Sequence, residues 1–195
     1  MHEVQAGIWH WQAPHPEWNA RGAAWGRVVS SYAIEVDDEL ILFDPLAVPG
    51  ELEERATAIV LTCPWHRRDA PSLAERLSLP IYVPPPDPPD PDPVKGEVFR
   101  PGDRLPVGVE AFPGREPNDP VLWIESRQAL VAGDSLIERD KGLEFPRDWA
   151  PEDASPDQLL ESMQPLLELP VELVLPTHGE PTDRAALQRA LGGLP

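Results

Sequence analysis

Ile59-Val60-Leu61-Thr62-Cys63-Pro64-Trp65-His66-Arg67-Arg68-Asp69-Ala70-Pro71 is the stretch on which the fold turns. Ala58 to Leu61 is a short, wholly apolar run, the pattern of a buried strand with both faces covered. It stops at Thr62. After a polar loop, Asp69 offers an N-cap and Pro71 an early helical proline, so a short helix through Leu73 and Leu77 follows. Ile81-Tyr82-Val83 then reads as the next strand. The polar loop from Thr62 to Asp69 therefore sits at a strand end.

Upstream, Val28 to Val36 and Leu40-Ile41-Leu42-Phe43 flank Asp37-Asp38-Glu39, two strands joined by a tight polar turn. Downstream, Val107 to Phe112 and Val121 to Ile124 are strands, and Ser126-Arg127-Gln128 turns the latter back into Ala129 to Ala132. Ser155-Pro156-Asp157 caps a helix whose Leu159, Leu160, Met163, Leu166 and Leu167 form an apolar stripe, kinked at Pro165. Val171 to Leu175 is a strand, and Asp183 opens a last helix through Ala185, Leu187 and Leu191. Hairpins in each half, together with strand–helix alternation, predict two mixed sheets with helices outside. No internal repeat divides the chain, and residues 1–195 read as one domain.

Composition narrows the function classes. Sixteen basic against 34 acidic residues give a net charge of −18, which repels phosphate backbones and anionic lipid and leaves no basic stripe. Nucleic acid and membrane are not expected partners. No basic leader with an apolar core precedes the first strands and no run approaches a membrane span, so the expected location is cytoplasmic. Cys63, the single cysteine, has no internal disulfide partner. Pro84 to Pro93 consists only of prolines and aspartates, so it reads as a stiff, solvated surface loop that adds little to the core.

Four landmarks then carry a resemblance. Tyr32-Ala33-Ile34-Glu35-Val36 with Leu40 to Asp44-Pro45, Ile59 to Thr62, Val131-Ala132-Gly133-Asp134, and Leu175-Pro176-Thr177-His178-Gly179 occur in the order and spacing of the metallo-β-lactamase superfamily. The chain resembles a divergent member of that family, which implies an α+β, four-layer αβ/βα sandwich. With Thr62 aligned to the start of the family's His-x-His-x-Asp-His loop, the metal-binding positions fall on Cys63, Trp65, Arg67 and Arg68, and the middle histidine falls on Arg115. Only Asp134 and His178 match the family's ligands. Two ligands fall short of the three or four that zinc takes, so no cofactor is expected, the alternative being one zinc held partly by Asp134 and His178.

The replacements define the candidate site. Arg67, Arg68 and Arg115 bring fixed positive charge to where metal would compensate Asp134, and they read either as stand-ins for the ion or as solvated residues of a drifted loop. Trp65 cannot ligate metal and fills the space instead. His15, between two prolines and near Trp11 and Trp18, reads as part of a structural loop or as a residue overhanging the cleft. His66 and Asp69 form a replacement pair, or Asp69 caps the helix while His66 faces out. Cys63 is core, or else a zinc ligand or a nucleophile activated by His178. His178 is the imidazole best placed to reach Asp134. His2 and His10 are set aside, His10 as a residue on the solvated side of the first strand.

Two functions follow. One is a metal-free protein binding a small anionic ligand through Arg67, Arg68 and Arg115, with hydrolase-like ancestry. The other is a hydrolase of an ester, thioester, lactone or phosphodiester, with a rearranged single-metal site built on Asp134, His178 and one of His66, Cys63 or His15. The first is preferred. The sequence leaves oligomeric state, and whether the protein is an enzyme, open.

Overall fold

A computed structural model describes residues 1–21 and 25–192. Its first sheet has seven strands in sequence order: β1 (His2–Gln5), β2 (Ile8–Pro14), β3 (Val28–Val36), β4 (Glu39–Phe43), β5 (Ala58–Val60), β6 (Ile81–Val83) and β7 (Glu97–Val98). The first four pair antiparallel, and β4 to β7 run parallel. Helices α1 (Gly50–Glu53) and α2 (Ala70–Leu77) belong to this half.

The chain continues through β8 (Arg104–Leu105), β9 (Val109–Glu116), β10 (Asp119–Ile124) and β11 (Ala129–Gly133). A separate two-stranded ribbon follows, β12 (Ile137–Arg139) with β13 (Gly142–Glu144), and then helix α3 (Pro156–Ser162). Strands β14 (Leu173–Pro176) and β15 (Thr182–Asp183) return to the second sheet, whose six strands are ordered β15-β14-β11-β10-β9-β8. Helix α4 (Arg184–Gly192) ends the described chain.

The period of two along each strand builds the layers. In β4, Ile41 and Phe43 enter the core between the sheets, whereas Leu40 and Leu42 pack on the other face with Leu52 and Leu73 of the helices. In β11, Ala129 and Val131 enter the same central core, whereas Leu130 and Ala132 face Leu160 and Leu187 of α3 and α4. Both faces of each sheet are thus apolar, as the unbroken run Ala58 to Leu61 requires. Each fully buried leucine or isoleucine contributes about 1.5–3 kcal/mol relative to exposure. The result is the α+β sandwich of helix, sheet, sheet and helix expected from the sequence. No helix among the described residues is long and apolar enough to cross a membrane.

Several local expectations change. Val107 is not in a strand: β8 and β9 are separated at Pro106-Val107-Gly108, where Gly108 takes φ +74°. Asp69 does not cap α2 with its side chain; its Oδ2 accepts from the amide of Ala47 at 2.7 Å, tying two loops together. Pro165 ends a helix rather than kinking one, because α3 stops at Ser162 and a 3-10 turn spans Gln164–Leu167. Ser155 makes no side-chain cap, whereas Asp183 does cap α4, its Oδ1 accepting from Ala186 N at 2.9 Å. His10 is buried rather than solvated.

Candidate functional site

The loops after β4, β5, β11 and β14 converge on one cluster. The end of β4 delivers Asp44, the loop after β5 delivers Thr62, Cys63, Trp65, His66 and Arg68, the turn after β11 delivers Asp134, and the loop after β14 delivers Thr177 and His178. Gly133 sets the Asp134 turn. It has φ +56°, and a Cβ there would lie 2.9 Å from Asp119 Oδ1 and 3.0 Å from Thr62. Asp44 and Arg68, at φ 45° and 36°, are side-chain-bearing residues in the left-handed region, where strain is retained chiefly at functional sites.

Asp44 is the buried anchor. Its Oδ1 accepts the Thr62 amide at 2.8 Å, and its Oδ2 accepts from Thr62 Oγ1 at 2.6 Å and Thr177 Oγ1 at 3.2 Å and faces His66 Nδ1 at 3.0 Å. On the other side of the ring, His66 Nε2 lies 3.3 Å from Asp134 Oδ1. His178 Nε2 lies 3.2 Å from the same oxygen, and neither approach is aligned as a hydrogen bond. Trp65 Nε1 donates to Asp134 Oδ2 at 2.8 Å. One imidazole therefore spans two buried carboxylates.

The electrostatics follow from that arrangement. Burial pulls the His66 pKa down, but Asp134 and Asp44 reverse it and raise it to about 9. Burial likewise opposes ionisation of Asp134 and Asp44, yet His66 prevails and holds Asp134 well below the usual carboxylate range and Asp44 below it. Asp119 goes the other way: burial and the charge of Asp134 outweigh Arg115 and raise it to about 7. Burial and the neighbouring carboxylates push the Cys63 thiol far above its ordinary value, so nothing activates it as a nucleophile.

The three arginines separate. Arg115 is spent on its own surroundings: Nε donates to Asp119 Oδ2 at 3.0 Å, Nη1 pairs with Glu116 at 2.6 Å, and the guanidinium lies 5.6 Å over the Trp65 ring. Arg67 pairs with Asp92 of the proline-rich loop at 3.3 Å, both groups largely exposed, and does not line the central pocket. Arg68 is half-buried. Its Nη1 donates to the carbonyls of Ser30 at 2.9 Å and Asp44 at 2.7 Å, while its Nε and Nη2 have no partner among the described residues. The cation beside Asp134 is thus His66, flanked by His178, and not a guanidinium in direct contact.

Above the cluster is a pocket of about 310 Å³. Trp25, Trp65 and Trp149 wall it, and His66, Asp134 and His178 line it with Arg68 and His15. Trp149 Nε1 and His178 Nδ1 are also without partners among the described residues. His15 does reach the cleft, its ring 5.0 Å edge-on to Trp25 rather than walled by Trp11, whose indole is buried and donates to Leu46 O at 2.8 Å. Asp69 lies outside this pocket, and His66 pairs with Asp44 and Asp134 instead of with it. Sequence reasoning misses Asp44, Asp119 and Trp149 as site residues. Asp44 is visible there only as the acidic residue closing a strand, and nothing in the sequence distinguishes the other two.

The donor set does not fit two metal ions. Asp134 Oδ2 already takes the Trp65 indole, and Arg115 packs against that indole where a second cation would need ligands. A single ion does fit by donor type, since a ligand atom each from Cys63, His66 and Asp134 lies within 4.8 Å of the others. Asp44 on His66 Nδ1 is then the outer carboxylate that orients such a ligand.

Two sheets packed face to face, with polar loops gathered at one end of their strands, define the metallo-β-lactamase fold. The chain has that fold. Its structure is similar to TTHA1623 in a di-iron-bound form, with a TM-score of 0.63 at 25% identity over 83% of this chain and 93% of that one. It is similar also to the DIM-1 metallo-β-lactamase, with a TM-score of 0.70 at 17% identity over 98% of this chain and 94% of that one. The metallo-β-lactamase family protein TTHA1429 from Thermus thermophilus gives 0.65 at 16% identity, covering 98% and 79%. No family model matches the sequence, and no curated protein sequence matches it.

Proposed function

We propose that this protein binds a small carboxylate-bearing molecule in the tryptophan-walled pocket without a metal ion, a hydrolase-like fold turned to anion recognition. The observation that carries this reading is Arg68, a half-buried residue at the pocket whose guanidinium Nε and Nη2 have no partner among the described residues. Those two nitrogens form one edge of the fork, the edge that grips a carboxylate through two parallel hydrogen bonds. The Trp149 N–H is a further unused donor, and the indole walls suit an apolar or aromatic body. Calorimetric titration with benzoate, phenylacetate, short acyl carboxylates and inorganic phosphate tests it. Carboxylate binding that Arg68→Met abolishes is the expected result, and equal binding by wild type and variant overturns the reading.

The cluster of Cys63, His66 and Asp134 favours one other reading, a hydrolase with a single ion. Such an ion supplies an activated water toward an ester, thioester, lactone or phosphodiester. The di-iron form of the structural neighbour TTHA1623 makes metal content worth measuring directly. About one equivalent of metal in protein purified without chelator, lost in Cys63→Ala, would move the assignment to this reading.

A further inference from the structure

We propose that His2, His10 and Glu180 form a second site, separate from the pocket, that binds one divalent d-block cation of the zinc type. The antiparallel pairing of β1 with β2 sets His2 directly opposite His10. Their side chains therefore share a face, and the rings meet edge-on at 5.2 Å. Glu180 arrives on the loop between β14 and β15. Gly179, at φ +126°, turns the chain after His178, and the Glu180 amide donates to Glu138 Oε2 at 2.7 Å. One donor atom from each of the three residues then lies within 4.8 Å of the others.

The hydrogen bonds around His10 decide its tautomer. Ser30 Oγ lies 2.7 Å from Gly179 O, a separation that requires the hydroxyl proton between two acceptors. Ser30 Oγ therefore accepts from His10 Nε2 at 2.8 Å, which leaves the Nδ1 lone pair without a proton. Nδ1 is buried, has no hydrogen-bond partner among the described residues, and faces Glu180 Oε2 at 3.5 Å. A lone pair and a carboxylate in apposition call for a cation between them.

Two imidazole nitrogens and one carboxylate oxygen match zinc and its neighbours. Ser30 on the opposite ring nitrogen is the outer partner such a ligand uses. His2 and Glu180 are exposed, so an ion has access from solvent. Binding would fasten the β1–β2 hairpin to the loop carrying His178, two residues before Glu180.

The test uses untagged protein stripped with chelator and dialysed. Zinc is titrated by calorimetry and cobalt by its visible absorption. The expected result is one zinc per chain at this site, weakened more than roughly tenfold by His2→Ala and by Glu180→Gln, and weakened roughly 10–100-fold by Ser30→Ala. Both His2 and Glu180 are exposed, and circular dichroism checks that the variants fold. Cys63→Ala leaves this binding unchanged and removes only any ion held beside Asp134. No zinc on the wild type, or zinc whose affinity neither His2→Ala nor Glu180→Gln alters, overturns the proposal.

Discussion

Asp44 Oδ2 and His66 Nδ1 meet at 3.0 Å in the interior, and both side chains are nearly inaccessible to solvent. The carboxylate also holds the Thr62 amide and the Thr62 and Thr177 hydroxyls, so one residue ties together the loops that make the site. Asp44→Asn keeps the shape but removes one of the two charges that answer His66, and an amide cannot accept from all these donors. The expected cost is roughly 2–3 kcal/mol, the range for buried donors left without a charged acceptor while Asp134 still faces the imidazolium. Urea unfolding measures it. A loss below about 1 kcal/mol would mean that the network does not depend on the charge.

His10 predicts a pH dependence of the opposite origin. Its pKa is lowered in the folded protein from 6.5 to about 4, so in that window the unfolded chain binds more protons. The stability it contributes is complete above pH 6.5 and is lost as pH falls toward 4. The full shift corresponds to about 3 kcal/mol at most, and its causes are burial and the nearby His2 and N-terminal charges. With chelator present, His10→Asn should flatten unfolding free energy against pH between 6.5 and 4. An unchanged slope would assign the dependence to other groups.

The fold was legible because the apolar runs were unambiguous. Ala58 to Leu61, Leu40 to Phe43 and Ala129 to Ala132 are buried strands because both faces of each sheet are covered, and a run without polar interruption has no other place in a sandwich. The residues brought into the site were legible where they stood in a recognisable order, as Asp134 and His178 did. What the sequence could not specify was direction. Three arginines looked equivalent, yet Arg67 meets Asp92 at the surface, Arg115 turns inward to the buried Asp119 four residues away, and Arg68 turns inward to the carbonyls of Ser30 and Asp44. His10 looked solvated on a strand of mixed polarity, and its burial depends on Ser30 and Glu180, 20 and 170 residues away in sequence.

The proline-rich loop predicts tolerance with one qualification. Pro86 to Asp92 is exposed, and its ties to the rest of the protein are the Arg67–Asp92 pair and a hydrogen bond from Asn118 to Asp87 at 2.6 Å. An exposed pair contributes about 0–1 kcal/mol. Replacing Pro85 to Pro93 with a Gly/Ser linker of equal length should leave the melting temperature within a few degrees. Pro84 is buried and is retained. A collapse of the melting transition would show that the segment packs into the fold.

Asp134 is the centre of the last prediction. The sequence suggested that an arginine compensates it, but the groups beside its Oδ1 are His66 Nε2 at 3.3 Å and His178 Nε2 at 3.2 Å. Asp134→Asn therefore leaves the His66 imidazolium with Asp44 as its one remaining carboxylate, and the expected destabilisation is roughly 1–3 kcal/mol, independent of added zinc. The same reasoning gives a second readout. His66 is raised from 6.5 to about 9, so its contribution is complete below pH 6.5 and is lost as pH rises through 9. Removing one of its two carboxylates should shrink that alkaline loss, seen as a flatter stability profile between those limits. If a single ion is instead held by Cys63, His66 and Asp134, then in a background carrying His2→Ala stability rises with zinc and falls with chelator by mass action, and adding Asp134→Asn abolishes that response. Equal stability of wild type and Asp134→Asn at every pH, with zinc or without, would refute both accounts and leave Asp134 a bystander to the pocket it lines.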